Sequence, residues 1–293
     1  MKKQNGLSLN RFTAADFVIY FLVFLAALIC FLPFIYVLSV SFTDPKVYIP
    51  FEFRVIPKRF SLEVYRIILS TNDFLVALKN TLIVTAGGTA LGIFTTFTFA
   101  YGLSKNDLPF RKFFMFLVLF GLLFDVGLIP NYMNIRSLGL LNTYWALILP
   151  ALATSYNVII AKSFIQGIPL ELEEAATIDG CSTFRIFFQI IVPLSMASLA
   201  TLTLFIAVDQ WNQYIKPLMY ISDYRLRTLQ VYIKMLLVDA STTGTGVGDG
   251  ENMLPGETIR LASVVLSILP IMCVYPFVQK YFVKGVMIGS VKG

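Results

Sequence analysis

The sequence predicts an all-α membrane protein with six transmembrane helices. Its composition is strongly apolar, with 57% hydrophobic and only 14% charged residues, whereas about a quarter of the residues in soluble domains are charged. The chain also contains six runs with few or no charges, most of them near the ~20 residues that a helix needs to cross the hydrocarbon. These runs are Phe17–Val40, Thr81–Leu103, Phe113–Pro130, Tyr144–Ala161, Leu194–Val208 and Leu261–Val278.

The first run follows a basic segment and therefore has some features of a secretion signal. It is longer than the usual apolar core of a signal, about 7–15 residues, and no small-residue cleavage site follows it. We therefore expect Phe17–Val40 to remain as a membrane anchor. The fifth run, Leu194–Val208, reaches spanning length only by adding Ile190–Pro193 before it or the polar Asp209–Asn212 after it.

The loops predict the orientation of this single membrane domain. With the amino terminus inside, eleven of the 23 lysines and arginines fall on the cytoplasmic side, and their density is higher there because two outer loops are long. This orientation gives a cytoplasmic tail 1–16, a membrane domain 17–283 with a cytoplasmic loop 163–193, and a cytoplasmic tail 284–293. The outer loop before the last run contains a flexible tract, "TTGTGVGDGEN".

Several kinds of chemistry are excluded by the residue types. Histidine is absent, which removes the commonest general base and metal ligand. Cys30 and Cys273 fall in spans and Cys181 in a loop, so neither a disulfide framework nor a ligand cluster is visible. We predict no catalytic, cofactor-binding or metal-binding residues in this chain. The net charge of +6 suits anionic lipid headgroups.

The segment "GGTALG" in the second run is not a phosphate-binding loop. Gly87 and Gly92 have the spacing of the two glycines of such a loop, but Ile93 and Phe94 follow where lysine and serine or threonine are needed. Small residues in a membrane span instead favour close packing of helices.

A short acidic stretch, "LEEAATIDG" at Leu172–Gly180, stands out in this apolar chain. Pro169 suits the first turn of a helix, and Gly180 suits the left-handed residue that ends one. Negative charges are favourable in the first half of a helix. They are Glu171, Glu173 and Glu174. We expect a helix of two to three turns.

This helix has one narrow apolar face, made by Leu172, Ala175 and Ala176. A second helical piece, Phe184–Val192, runs into Pro193, which we expect to turn the chain back into the membrane. Because an isolated helix this short is not stable in water, it must dock. The residues alone leave open whether it docks on loops of its own chain or on another protein.

Two places in the predicted spans could contact a polar ligand. Asp125 lies in the second half of the third run, where a charge costs at least ~2.5–3.5 kcal/mol if it is central, so it would face a polar cavity or lie at the interface. Asp209, Trp211, Asn212 and Tyr214 close the fifth run and combine aromatic faces with hydrogen-bonding groups, which suits a sugar. An interfacial aromatic belt would also place Trp211 and Tyr214 here.

The acidic stretch resembles the signature of the permease subunits of ATP-binding-cassette importers. In that family Glu-Ala-Ala is followed after three residues by Gly, and after nine more by Ile, any residue and Leu-Pro. The match is Glu174–Ala176, Gly180, Ile190 and Val192–Pro193, with Val192 in place of leucine. The resemblance implies a type I importer permease fold, whose cytoplasmic coupling helix inserts into a groove on a separate ATPase. The residues it implies for ATPase coupling are Glu173, Glu174, Ala175, Ala176, Asp179, Gly180 and Pro193.

Further segments look like the carbohydrate importers, in the group similar to the inner permease of the maltose system. They are "ELEEAATIDG", "LGLLNTYWALILP", "AYGLSK", "WNQYIKPL" and "QKYFVKGVMIGSVKG". The last segment is similar to the branch that imports complex oligosaccharides, including uronic-acid fragments of alginate or pectin.

The resemblance also implies the assembly in which the chain works. Its partners would be a second homologous permease, two ATPase subunits that bind ATP and magnesium, an extracytoplasmic solute-binding protein, the oligosaccharide and membrane lipid, with no nucleic acid. The chain would lie in the bacterial cytoplasmic (inner) membrane and would not itself be catalytic.

Two functions other than that of an importer permease require different residues. A stand-alone ion-coupled sugar transporter needs ionisable side chains within its spans, and Asp125 is nearly the only candidate. An intramembrane glycosyl-transfer enzyme needs clustered carboxylates or a base at one membrane face.

Overall fold

In the computed structural model, the described residues are 14–49, 52, 55–243 and 256–290, and their regular structure is helical apart from one isolated bridge between Thr43 and Phe60. The helices are α1 Ala14–Ser41, α2 Glu63–Ser70, α3 Asn72–Ser104, α4 Arg111–Leu123, α5 Leu128–Ser137, α6 Trp145–Ile148, α7 Ser155–Gln166, α8 Glu171–Ile178, α9 Thr183–Ile186, α10 Val192–Leu194, α11 Met196–Asn212, α12 Ile215–Tyr220, α13 Leu229–Thr243 and α14 Gly256–Ser290. Short 3₁₀ turns lie at Pro45–Val47, Leu149–Ala151 and Tyr224–Leu226, and a π-helical turn lies at Phe187–Ile191. The all-α prediction is confirmed.

The chain divides into two compact units. One is Met1–Ile68 with Ala240–Val265, and the other is Leu69–Asp239 with Leu266–Gly293. In the first unit, α1 is apolar on every side and leaves its large side chains exposed, as Phe17 shows at 71%. A helix of this kind needs lipid or another apolar surface around it.

The segment after α1 folds back on the end of that helix. The ring of Phe42 stacks on Phe60 with centroids 5.3 Å apart, and the Tyr65 hydroxyl donates a hydrogen bond to Ser41 Oγ at 2.8 Å. These contacts fix the start of the loop that the sequence places between the first two spans.

The core of the second unit forms where α3 packs along α7 and α11. Its fully buried side chains include Phe97 and Ala100 of α3, Ala161 of α7 and Leu202 of α11. Close packing is possible because glycines of α3 face α11. A Cβ added at Gly92 would lie 3.2 Å from a methyl group of Ile206. The prediction of close helix packing in this span is confirmed.

The six predicted spans are only partly recovered. Among the described residues, three helices are long and apolar enough to cross a membrane: Asp16–Ser41, Asn72–Ser104 and Gly256–Cys273. Two further pairs reach that length only across a bend: Trp145–Ala151 with Ser155–Gln166 at 46°, and Thr183–Leu194 with Met196–Asn212 at 83°. The structure thus contains three to five candidate spans, and the count of six is not confirmed.

The third predicted run, Phe113–Pro130, is not one continuous helix. Helix α4 ends at Leu123 and is 13 residues long, about 20 Å at 1.5 Å per residue, which is less than the ~30 Å hydrocarbon core. The break arises because Asp125 accepts a hydrogen bond from the N–H of Gly127 at 3.0 Å, and Gly127 adopts φ +85° before α5 begins. The prediction of one continuous spanning helix here is not confirmed.

The fifth run is longer than its apolar core. Helix α11 extends through the polar residues Asp209–Asn212, which was one of the two extensions considered. Of the predicted tail 1–16, only residues 14–16 are described. Residues 291–293 of the predicted tail 284–293 and most of the "TTGTGVGDGEN" tract also lie outside the described residues. Residues 284–290 continue α14.

Candidate functional site

Helix α8 forms where the acidic stretch predicted a helix, and its carboxyl end is closed by a Schellman motif. Gly180 has φ +79°. The N–H of Cys181 donates to the carbonyl of Ala176 at 2.9 Å, and the N–H of Gly180 donates to that of Thr177 at 3.0 Å. This pattern requires a residue in the left-handed region, which glycine adopts without a steric penalty.

The face that α8 turns toward its own chain is smaller than predicted. Ala176 is 7% exposed and packs with Ala161, Ile165 and Ile186, whereas Leu172 and Ala175 of the predicted apolar face are exposed. The helix therefore docks on its own protein through Ala176, and part of its apolar face remains uncovered.

One acidic side chain of α8 also turns inward. The carboxylate of Glu173 forms an ion pair with the Lys105 ammonium, and it accepts a hydrogen bond from the Tyr101 hydroxyl at 3.4 Å. Lys105 Nζ lies 4.5 Å from the centre of the Tyr101 ring. Burial lowers the pKa of Lys105, and the charge of nearby Asp107 opposes that change. A partner carboxylate offsets the loss of hydration of this ammonium.

Several large apolar side chains of α8 and of the turns around it are exposed. Ile178 is 86% exposed and Phe184 is 78% exposed. Leu170 and Leu172 are also exposed, and Glu174 lies one turn before Ile178 on the same side of α8. Patches of this kind on soluble surfaces commonly mark protein–protein contacts.

After α8 the chain returns sharply toward the second unit's core. The segment Thr183–Leu194 and the following helix α11 meet at an angle of 83°. The turn is made at Ser195, whose N–H donates to the carbonyls of Ile191 and Val192 at 2.9 and 3.2 Å. Pro193 lies in the last turn before the bend, where its ring restricts the backbone. The chain does change direction here, by 83° at Ser195, two residues after Pro193, and its entry into the membrane at this point stays a prediction.

The predicted substrate residues of the fifth run do not share one surface. Trp211 is buried at 5% exposed, Asp209 and Asn212 are exposed, and Tyr214 is half-buried beyond the end of α11. A lipid-facing belt does not explain Trp211, because its side chain is buried. Asn212 donates to the carbonyl of Val208 at 2.9 Å, within its own helix.

Asp125 does not lie within a helix. It occupies the break between α4 and α5, is exposed, and accepts the hydrogen bond from Gly127. A carboxylate that stabilises the start of a helix explains this residue without a polar cavity around it. Whether Asp125 faces a polar cavity or lies at the membrane interface stays a prediction.

Sequence reasoning missed a close contact between α3 and α11 that involves a buried amide. The Gln210 side chain is 2% exposed and lies so close to Gly88 that an added Cβ would be 2.5 Å from its Nε2. Gln213 Nε2 donates to Gln210 Oε1, whereas Gln210 Nε2 and Gln213 Oε1 are buried and have no hydrogen-bond partner among the described residues. The available signal was Gln210 itself, which directly follows Asp209 in the fifth run.

It also missed two asparagines that hold the loop after α12. Asn80 of α3 donates to the carbonyls of Arg225 and Arg227 at 2.8 and 2.9 Å and accepts from the Tyr144 hydroxyl at 2.8 Å. Asn142 accepts from two N–H groups of the same loop, at Ser222 and Asp223. Neither Asn80 nor Asn142 lies in a local sequence pattern that indicates these contacts.

Comparison with known proteins agrees with the resemblance. No protein-family model matches the chain. The polygalacturonan/rhamnogalacturonan transport system permease protein YtcP of Bacillus subtilis is 43% identical over 285 residues, which cover 95% of this chain and 98% of that protein. A solved bacterial ABC transporter involved in the import of the acidic polysaccharide alginate includes a chain of 29% identity and TM-score 0.84, covering 93% of this chain and 99% of that one. This chain belongs to the ABC importer permeases.

The permease also shares its fold with a more distant solved chain. That chain comes from a bacterial alginate ABC transporter in complex with a periplasmic protein that holds an alginate pentasaccharide. It is 16% identical with TM-score 0.55, and the match covers 90% of the permease and 93% of that chain.

Proposed function

We propose that the permease forms the membrane path for an oligosaccharide that contains uronic acids, and that α8 couples this path to ATP hydrolysis by a partner subunit. The single observation that carries the coupling proposal is the uncovered apolar surface around α8. The residue roles proposed earlier for Glu173, Glu174, Ala175, Ala176, Asp179, Gly180 and Pro193 belong to this proposal.

The surface around α8 needs a protein partner rather than lipid. Glu174 and Asp179 are exposed on the same short element as Ile178, and carboxylates at the centre of a bilayer are costly. The element therefore belongs in water. In water, Ile178 and Phe184 would leave most of their apolar area exposed, which another protein can remove from solvent.

The substrate proposal rests on what the similar proteins transport. The name of one similar protein gives polygalacturonan and rhamnogalacturonan, and the description of the solved transporter gives the acidic polysaccharide alginate. Uronic acid units are common to these polymers. The net charge of +6 suits an acidic substrate as well as anionic lipid.

The rest of the assembly follows from the family. We propose a second homologous permease, two ATPase subunits carrying ATP and magnesium, and an extracytoplasmic solute-binding protein, all in the bacterial cytoplasmic membrane. The permease would place its termini and α8 in the cytoplasm and would use six spans, with α4, the break and α5 together forming the third. Substrate contacts at Asp209, Trp211, Asn212 and Tyr214 stay a prediction.

A stand-alone ion-coupled transporter has less support than an ABC importer permease. Its main candidate, Asp125, is exposed in a helix break and already accepts a backbone hydrogen bond. No second observation favours that function.

Co-purification tests the coupling proposal. The affinity-tagged permease is purified in mild detergent from the membranes of its own host, and the associated ATP hydrolysis is measured. We expect an ATPase subunit in the wild-type preparation and its loss in Phe184→Asp. The matched control is Phe110→Asp, which changes a phenylalanine that is equally exposed, at 80%, in another loop. A wild-type preparation without an ATPase, or equal loss in both variants, contradicts the proposal.

Uptake tests the substrate proposal separately. The intact complex and its binding protein are placed in liposomes, and import of labelled trigalacturonate is compared with that of labelled maltotriose. ATP-dependent import of trigalacturonate alone is expected. Import of maltotriose alone would contradict the acidic substrate but leave the coupling proposal intact. Import by the permease without partners, driven by a pH gradient, would favour the ion-coupled alternative.

A further inference from the structure

Two adjacent glutamates of α8 point in different directions. Glu174 is exposed on the outer side, whereas the side chain of Glu173 is only 14% exposed and its carboxylate contacts Lys105 and Tyr101 at the end of α3. Consecutive residues of a helix are about 100° apart around its axis. One glutamate can therefore meet a partner while the other holds α8 to its own chain.

The contact of Glu173 has features that an ordinary surface ion pair lacks. Exposed pairs contribute little because water screens them. Here the Lys105 side chain is 26% exposed, the Tyr101 hydroxyl adds a hydrogen bond, and the Tyr101 ring lies under the ammonium. Tyr101 is itself fixed, because its ring packs on Phe187 with centroids 5.0 Å apart.

The rest of the contact between α8 and the core is small. Ala176 is the buried side chain of α8, and alanine offers only one methyl group for packing. The turn that follows passes through Gly180, which sets few steric limits on the backbone. Without the Glu173 contact, α8 would be held mainly by the packing of Ala176 and of the flanking Ile168 and Cys181 against the core.

We propose that Glu173, Lys105 and Tyr101 form a latch that makes α8 and α3 move as one body, so that Glu173 is a positioning residue for coupling and does not contact the ATPase. This inference rests on the proposed function, because it assumes that a partner moves α8. It separates the roles of the neighbouring glutamates: Glu174 acts at the partner surface, and Glu173 passes the movement to α3.

Charge reversal and its rescue test the latch. Glu173→Lys and Lys105→Glu each place two like charges at the contact, and the double variant restores an opposite pair in the reverse order. The matched control is Glu171→Lys, which makes the same charge change at an exposed position of α8. Spin labels on cysteines at Thr177 and Phe99, in a background without the native cysteines, report the distance between α8 and α3 in the intact complex.

A narrow distance distribution is expected for the wild type, the control and the double variant, and one at least twice as broad for each single reversal. The second measurement is labelled trigalacturonate imported per ATP hydrolysed. We expect at least a tenfold loss in the single reversals, with the ATPase still bound, and recovery to within threefold in the double variant.

Unchanged distances in the single reversals, or broad ones in the double variant, would overturn the latch. An unchanged import ratio despite broadened distances would overturn its role in coupling. If the wild-type complex neither binds an ATPase nor imports trigalacturonate, the proposed function fails, while the spin-label distances still decide whether the latch fixes α8.

Discussion

Gly88 is the position at which one methyl group should disturb the packing of the second unit most clearly. In Gly88→Ala, the new Cβ would lie 2.5 Å from Nε2 and 2.7 Å from Cδ of Gln210. Ordinary contacts of this kind are about 3.5–4.0 Å, so the amide must move by about 1 Å. Gln210 is 2% exposed and its amide also meets that of Gln213, which leaves little room for the movement.

The expected cost combines two opposing effects. Overpacking a close-packed interior costs about 1–3 kcal/mol, and replacing glycine by alanine within a helix returns about 0.5–1 kcal/mol. We therefore expect Gly88→Ala to destabilise the permease by about 1 kcal/mol, within a range of about 0–2.5 kcal/mol. Gln210→Ala removes the obstructing amide, so the double variant should recover most of that loss.

Thermal unfolding of the purified permease in detergent measures these changes. The control is Gly102→Ala in the same helix, where an added Cβ would meet nothing within 4 Å, and we expect it to be neutral or slightly stabilising. If Gly88→Ala unfolds at the same temperature as Gly102→Ala, the close contact between α3 and α11 is not as described here. Failure of Gln210→Ala to rescue Gly88→Ala would show that the clash lies elsewhere.

Three further changes test other contacts. Gly180→Leu places a side chain at φ +79°, which costs about 1–2 kcal/mol, and it should reduce the amount of ATPase that co-purifies; normal co-purification would refute this. Asn80→Leu removes two hydrogen bonds to loop carbonyls and the acceptor for the Tyr144 hydroxyl. Hydrogen exchange of that loop should therefore become faster by an amount that corresponds to about 1–3 kcal/mol. Unchanged exchange would contradict the role of Asn80 in holding the loop. Asp125→Asn keeps an oxygen that can accept a hydrogen bond from the N–H of Gly127. Uptake should therefore stay within about twofold of the wild type, as expected for a surface change below about 0.5 kcal/mol. In an ion-coupled transporter the same change would abolish uptake.

The sequence was informative where structure is decided locally. The limits of α8 follow from Pro169 and Gly180, because both act through the backbone of the residues next to them. The reversal after Val192 was likewise visible from Pro193. The apolar runs predicted the long helices α1, α3 and α14 for the same reason: spanning length is a property of consecutive residues.

Hydropathy did not predict the break in the third run. A run of apolar residues hides a short turn, because a single aspartate changes the average very little. The signal was present in the spacing of Asp125 and Gly127, since an aspartate side chain commonly bonds the N–H two residues later. Reading that pair as a turn would have divided the run into α4 and α5.

Contacts between distant parts of the chain could not be predicted. The burial of Trp211 depends on how α11 lies against the rest of its unit. The partner of Glu173 is Lys105, which lies far away in the sequence, and no local pattern joins them. The segment "AYGLSK" did contain Tyr101 and Lys105, but the resemblance gave no role to either residue.

Because α3 is long, a movement at the latch can affect a distant part of the second unit. Helix α3 holds the loop after α12 through Asn80 near one end and contacts Glu173 just beyond the other. About 25 residues separate Asn80 from Lys105, which is about 37 Å along a straight helix. A tilt of about 5° at the latch would displace the distant end of this lever by about 3 Å, about the length of one hydrogen bond, and that is enough to release the loop carbonyls from Asn80.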